Sequence, residues 1–274
     1  MPESNGFLVR PKLYSSGGLI PLRSAALADD KMLAAAEAEG LKEDLLSLAS
    51  STQRGFKASR EERRRAKNLA EALEKLNPTE EPARSYYEGN SSDDSGGAGS
   101  ADLSGKWTLV YTDARDITTL DSGGPFAPSK LGRIGQECSP PVIKNVIEWK
   151  KPDWATALPF SGGDDARVLQ KVCCEGVAKR EDPRTVDLKI VGLDIVGDQG
   201  ETKQSSEIAS DIVKRIQGGP AGLVGESPIE VRGFVKPPFG KFEILYLDEQ
   251  MRIIQTYQGY LAVNVRQTPG EEWF

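Results

Sequence analysis

Apolar positions recur along this chain with two different periods. From Asp30 to Asn77 the period is helical. Leu41, Leu45 and Leu48 fall at i, i+4 and i+7, and Ala34 and Ala38 extend the stripe upstream. A second helix opens on Ser59-Arg60-Glu61-Glu62, a capping box in which Ser59 and Glu62 satisfy each other's orphan backbone donors. Its stripe is Ala66, Leu69, Leu73 and Leu76, and Asn77-Pro78 ends it. Gln53-Arg54-Gly55-Phe56 supplies the turn between the two. The pattern predicts a helical hairpin over residues 30–80. Its apolar stripes must be buried against a neighbouring domain, a partner or a lipid surface.

Beyond Asp102 the period shortens to two. Gly105–Thr112 reads GKWTLVYT, with Trp107, Leu109 and Tyr111 on one face and Lys106, Thr108 and Thr112 on the other. Further strands are predicted at Val142–Trp149, Val168–Ala178, Thr185–Val191 and Ile229–Val235. Phe242–Leu247, Met251–Tyr257 and Tyr260–Arg266 then follow with short turns at Asp248-Glu249-Gln250 and Gln258-Gly259, a β-meander. Many short, evenly spaced strands suggest a barrel or a sandwich. A helical insertion is predicted near 206–217, where Ile208, Ile212, Val213 and Ile216 share a face. An up-and-down barrel of about eight strands has room for one small ligand. Periodicity does not separate a lined cavity from a filled core.

The remaining segments read as connections. Residues 82–102 form an acidic, low-complexity linker around SSDDSGGAGS (Ser91–Ser100) with no predicted structure. Residues 1–29 read as a disordered or transit-like tail. From Met1 to Leu27 there are three basic residues, several serines and a single acid, Glu3.

Composition narrows the chemistry. The 274 residues carry a net charge of −6, which argues against nucleic-acid partners. The basic cluster Arg60–Lys67 contains Glu61 and Glu62 and reads as a solvated helix face. Histidine is absent, which removes Ser-His-Asp and Cys-His pairs, histidine metal ligands and the commonest general base. Cys138, Cys173 and Cys174 show neither a disulfide framework nor zinc spacing. Cys173 and Cys174 lie in a predicted strand and should face opposite ways. No cofactor or metal site is expected.

Four stretches in order carry a resemblance: LASSTQRGF (Leu48–Phe56), ALEKLNPT (Ala72–Thr79), LSGKWTLVYT (Leu103–Thr112) and FEILYLDEQMRIIQTYQGYLAVNVR (Phe242–Arg266). They resemble the plastid lipid-associated proteins, or plastid fibrillins. The resemblance implies a mainly β fold, a lipocalin-like antiparallel up-and-down barrel over 103–268, preceded by the helical hairpin (α+β overall). It implies a non-catalytic protein that binds a carotenoid, quinone or lipid and associates with plastoglobule or thylakoid surfaces in the plastid. The stretch Cys138–Gly225 matches loosely, with insertions at Ser161–Arg167 and Ser205–Pro220.

In barrels of this type a first-strand tryptophan plugs the closed end under a guanidinium from the last strand. Trp107 and Arg266 fit those roles, with Gly105 letting the chain bend in; such a stack contributes about 0.5–2 kcal/mol. Leu109, Tyr111, Phe242, Ile244 and Tyr246 are the candidate ligand-lining residues. Asp248 and Arg252 flank the hairpin turn, as a turn cap plus an ion pair worth about 0–1 kcal/mol if exposed, or as a polar gate at the barrel mouth. Trp149, Trp154 and the stiff loop Phe234, Pro237, Pro238 and Phe239 are candidates for a lipid-facing rim.

Two other functions use the same barrel. A lipophile-modifying enzyme would need inward-facing carboxylates, and Glu148, Asp187, Glu230 and Glu243 are the strand acids available. A scaffold would dock a plastid enzyme through the helical hairpin.

Overall fold

A computed structural model describes residues 22–89, 101–121, 129–152, 167–197, 229–232 and 240–274. Among the described residues two helices, α1 (Leu22–Ser51) and α2 (Arg60–Lys75), precede nine strands. The strands are β1 (Gly105–Thr112), β2 (Lys130–Ser139), β3 (Val142–Lys150), β4 (Arg167–Lys179), β5 (Asp182–Gly197), β6 (Ile229–Arg232), β7 (Gly240–Leu247), β8 (Met251–Thr256) and β9 (Leu261–Arg266). A short helix α3 (Arg115–Thr118) follows β1. The expected helical insertion near 206–217, Trp154 and the Phe234–Phe239 loop lie outside the described residues.

Every strand runs antiparallel to its neighbours, and β9 returns to β1, closing the expected barrel. The barrel has eight staves although nine strands build it. The first part of β5 pairs with β7, Leu188 opposite Gly240, and the later part pairs with β6, Gly192 opposite Arg232. Strands β6 and β7 therefore share one stave. The tight β2–β3, β4–β5 and β7–β8 turns mark one end of the barrel. The long connections after β1, β3 and β5 leave from the other.

Strand β2 escaped the sequence reading because Gly132 and Gly135 interrupt its apolar pattern. Each glycine has something lying against it. A Cβ at Gly132 would fall 2.5 Å from Oε2 of Glu148, and one at Gly135 within 2.8 Å of Trp273 and Phe274. These glycines mark where other side chains cross the strand.

The hairpin packs its stripes on the outside of the barrel. Leu45, Leu48, Ala66, Leu69 and Leu73 are buried against Tyr111, Tyr246, Met251, Ile253, Leu261 and Val263 from β1, β7, β8 and β9. The α2 capping box forms as the sequence implies, Glu62 N donating to Ser59 Oγ at 3.2 Å and Ser59 N to Glu62 Oε2 at 2.8 Å. Helix α1 begins at Leu22, upstream of the expected start at Asp30.

The Thr52–Gly55 turn fastens the hairpin to the barrel. Gln53, Arg54 and Gly55 all have positive φ, a run that only a heavily bonded turn sustains. Thr52 Oγ1 donates to Leu48 O and accepts from Gly55 N. Arg54 O accepts from Thr112 N, and its Nη1 donates to Gly132 O at 2.8 Å. A Cβ on Gly55 would collide with the Thr112 carbonyl, and its φ is +87°. A Gly55→Ala substitution is expected to cost about 1–3 kcal/mol, read as a lower urea midpoint.

The expected linker 82–102 is structured at both ends, which corrects the sequence reading. A 3₁₀ turn, Arg84–Tyr86, seats Ala83, Tyr86 and Tyr87 in the same core as Leu103 and Trp107. Two adjacent tyrosines gain more from burial there than the flanking polar residues lose from being ordered. The low-complexity residues 91–100 lie outside the described ones.

Candidate ligand-binding lumen

The barrel interior has a sealed end and a looser wall. At the sealed end Trp107 is fully buried, and its Nε1 donates to Leu103 O at 2.9 Å. The Arg266 guanidinium lies 4.2 Å from the ring centroid and that of Arg252 lies 4.8 Å from it. Gly105 has φ +121°, and a Cβ there would stand 2.6 Å from Arg266 Nη1. Arg266 is tied by backbone carbonyls: Nη1 to Ser104 O, Nη2 to Asp102 O and Nε to Glu249 O. Burial pulls its pKa below the usual value, and the like charge of Arg252 adds to that pull while Glu249 and Asp102 oppose it.

The five candidate lining residues separate. Phe242 and Ile244 face inward beside Trp107, Val186 and Ile254. Leu109 faces inward higher up, with Leu131, Ile134, Trp149 and Val168. Tyr111 and Tyr246 do not join them; both are buried under the helical hairpin. The cause is a β-bulge in each strand. The β1–β9 register slips between Leu109 and Tyr111, and the β7–β8 register between Ile244 and Tyr246. One extra residue reverses the side-chain alternation, so each tyrosine points out. Burial pushes the Tyr111 phenol up to about 12.

The expected gate of Asp248 and Arg252 does not form either. Asp248 caps its turn, accepting from Gln250 N and Met251 N through Oδ1. Its Oδ2 accepts from Lys42 Nζ of α1 and from Tyr246 Oη, both at 2.8 Å. Burial raises the Asp248 pKa, but these bonds outweigh it and leave the carboxyl below its ordinary value. Arg252 sits one register step inside, opposite Leu247 on β7 and Asn264 on β9, and is fully buried.

A belt of polar groups that the sequence reading missed crosses the interior. Arg252 Nη1 donates to Cys138 Sγ at 3.2 Å, and Cys138 Sγ donates to Gln136 Oε1 at 3.5 Å. Gln136 Nε2 donates to Asn145 Oδ1 at 2.6 Å. The visible signal is a polar residue at an inward position of an apolar strand, as Asn264 is in LAVNVR. Burial raises the Cys138 pKa, with Arg252 opposing, so the thiol stays protonated near neutral pH. Among the described residues three donors in the belt have no acceptor: Nε and Nη2 of Arg252 and Nδ2 of Asn264. An unmet buried donor costs about 1–3 kcal/mol.

On the β3–β4–β5 side the wall changes. Ile147, Val172, Leu188 and Ile190 are directed toward the core clusters yet only half-buried. An inward side chain in a filled barrel is covered on every side. These apolar groups instead keep part of their surface uncovered. Trp149 also faces inward and is buried, its Nε1 donating to Gln170 Oε1 at 3.0 Å, so it is not an exposed rim residue.

The strand acids do not make an inward pair. Glu148 is fully buried but faces outward, under Arg133 and Arg167. Glu243 pairs with Arg184 on the outer face, and Asp187 is exposed. The Glu230 side chain lies outside the described ones. Cys174 points inward and is buried, while Cys173 lies on the other face beside Asp194. Burial pushes both thiols up to about 11, far from a reactive thiolate at neutral pH.

Comparison with known proteins agrees with the architecture. The chain is similar to a protein of Citrus unshiu called "Plastid-lipid-associated protein, chloroplastic", 23% identical over 243 residues, covering 84% of this chain and 69% of the relative. The PAP_fibrillin family matches residues 39–264, from the hairpin through the last strand. The chain therefore belongs to the PAP_fibrillin family of plastid lipid-associated proteins.

Proposed function

We propose that this protein is a non-catalytic carrier of a lipophilic small molecule, a carotenoid, quinone or lipid, held in the barrel lumen. The observation that carries the reading is the incompletely buried apolar wall of Ile147, Val172, Leu188 and Ile190 facing the interior. Such a wall attracts apolar surface at roughly 25 cal/mol per Å² removed from water. The lumen's polar groups are amides, thiols and guanidiniums. None of the strand acids with described side chains faces inward, which leaves acid–base chemistry without a carboxylate there. The relative's name supports a plastid location and association with plastid lipid; plastoglobule or thylakoid surfaces are the lipid structures proposed for that contact. Among the described residues no helix is long and apolar enough to cross a membrane.

The reading is tested by incubating folded protein with plastid lipid extract, re-isolating it and extracting what it holds. A defined lipophile near one per protein is the expected result. Protein that returns folded and empty would contradict it.

A scaffold role through the helical hairpin is the second reading. Exposed Met32 and Leu33 on α1, at 70% and 71%, favour it. The main hairpin stripes, however, are already buried on the barrel. Deleting residues 22–78 is therefore expected to abolish lipophile uptake together with cooperative unfolding, as followed by circular dichroism. Uptake that survives the deletion would return the hairpin to a docking role.

A further inference from the structure

We infer that Arg252 and Asn264 receive the charged oxygen end of an amphiphilic lipophile, a long-chain carboxylate, so that the barrel selects by headgroup as well as by apolar bulk. The inference rests on the carrier reading above and names the class of molecule carried.

The argument begins with the contrast between two arginines on one tryptophan. Arg266 is a structural clasp, with Nε, Nη1 and Nη2 each meeting a backbone carbonyl. Arg252 stacks on the same ring, but its one hydrogen bond among the described residues is Nη1 to the Cys138 thiol. Its Nε and Nη2 are buried without an acceptor. A guanidinium that served only to hold the fold would be partnered as Arg266 is, because an unpaired buried charge is costly.

The neighbouring groups point to what is missing. Asn264 lies directly across the β8–β9 ladder from Arg252, and its Nδ2 is also buried without an acceptor. All three unmet groups are donors. Among the described residues the Arg252 guanidinium meets a thiol and an aromatic ring, and no carboxylate forms an ion pair with it. Cys138, its one partner, is held as a neutral thiol. Two guanidiniums on one ring and a donor amide therefore give this end of the interior a positive potential. An acceptor oxygen bearing negative charge answers all of it at once, and a guanidinium fork matches a carboxylate in shape. Val172, directly across the β3–β4 ladder from the belt's Asn145, and Ile190 beside Cys174 give the chain of such a headgroup a half-buried apolar wall to lie against.

The test compares two ligands that differ only at the polar end. Oleate and oleyl alcohol displace Nile red, a neutral probe, from the folded full chain. The parent is expected to bind oleate roughly tenfold or more tighter than the alcohol, the difference that charge-assisted hydrogen bonds confer. In Arg252→Met that preference disappears while alcohol binding stays within about twofold. Asn264→Leu, close in shape, reduces the preference in part and serves if Arg252→Met does not fold. Equal affinity of the parent for the two ligands overturns the inference, as does a preference that survives in Arg252→Met. Failure of Nile red to bind at all would instead sink the carrier reading.

Discussion

A Glu148→Gln variant is expected to lose about 3 kcal/mol of folding stability near neutral pH. Glu148 is fully buried on the outer face of β3, and its charge is answered from several sides. Arg133 donates to it from Nε, Nη2 and its backbone N, Arg167 donates from Nη1, and Lys150 stands 3.7 Å away. Burial alone would raise its pKa. The Arg133 and Arg167 hydrogen bonds outweigh burial and bring it from 4.5 down to about 2. A depressed carboxylate contributes stability that is full above its unfolded pKa and is lost as pH falls toward its folded one. At about 1.4 kcal/mol per unit, the span from 4.5 to about 2 corresponds to about 3 kcal/mol. Chemical unfolding of parent and variant across acidic pH checks this. The gap between them should stay constant above the unfolded pKa and close below it. A gap independent of pH would mean that Glu148 acts through packing alone.

A Trp107→Ala variant is expected to lose about 3–5 kcal/mol, the range for emptying a fully buried large aromatic site. It also removes the surface on which Arg252 and Arg266 both stack and frees Leu103 O. Trp107→Phe keeps a ring under the guanidiniums but loses the indole bond and part of the ring's volume, so it should cost less, about 1–3 kcal/mol. Urea midpoints of the two variants measure the difference. Equal losses would show that the stack, as opposed to the indole bond, contributes little.

The parts of this fold that local chemistry specifies were legible in the sequence. The Ser59–Glu62 capping box, the hairpin stripes and the closing meander each follow from spacing alone. The Trp107–Arg266 stack followed from the family resemblance and from their places on the first and last strands. What was not legible depends on contacts between distant segments. Two bulges turn Tyr111 and Tyr246 outward, and no alternation count shows a bulge. Strand β2 was hidden because its glycines answer Glu148, Trp273 and Phe274 from elsewhere in the chain. Trp273 crosses the barrel wall with Nε1 bonded to Thr108 Oγ1, under the Arg133 guanidinium 4.9 Å from its ring. Arg252 was placed at the mouth because it flanks a turn; the ladder with Asn264 carries it inside. The polar belt followed from no single residue, since Gln136, Asn145 and Asn264 look like ordinary strand residues until the barrel closes.

The central claim is an open lumen that takes up one apolar molecule. Titrating folded protein with cis-parinaric acid, a fluorescent polyene, tests it through energy transfer from the tryptophans, of which Trp107 and Trp149 face the interior. The account predicts saturable transfer at one molecule per chain. Folded protein that shows no saturable transfer would contradict it.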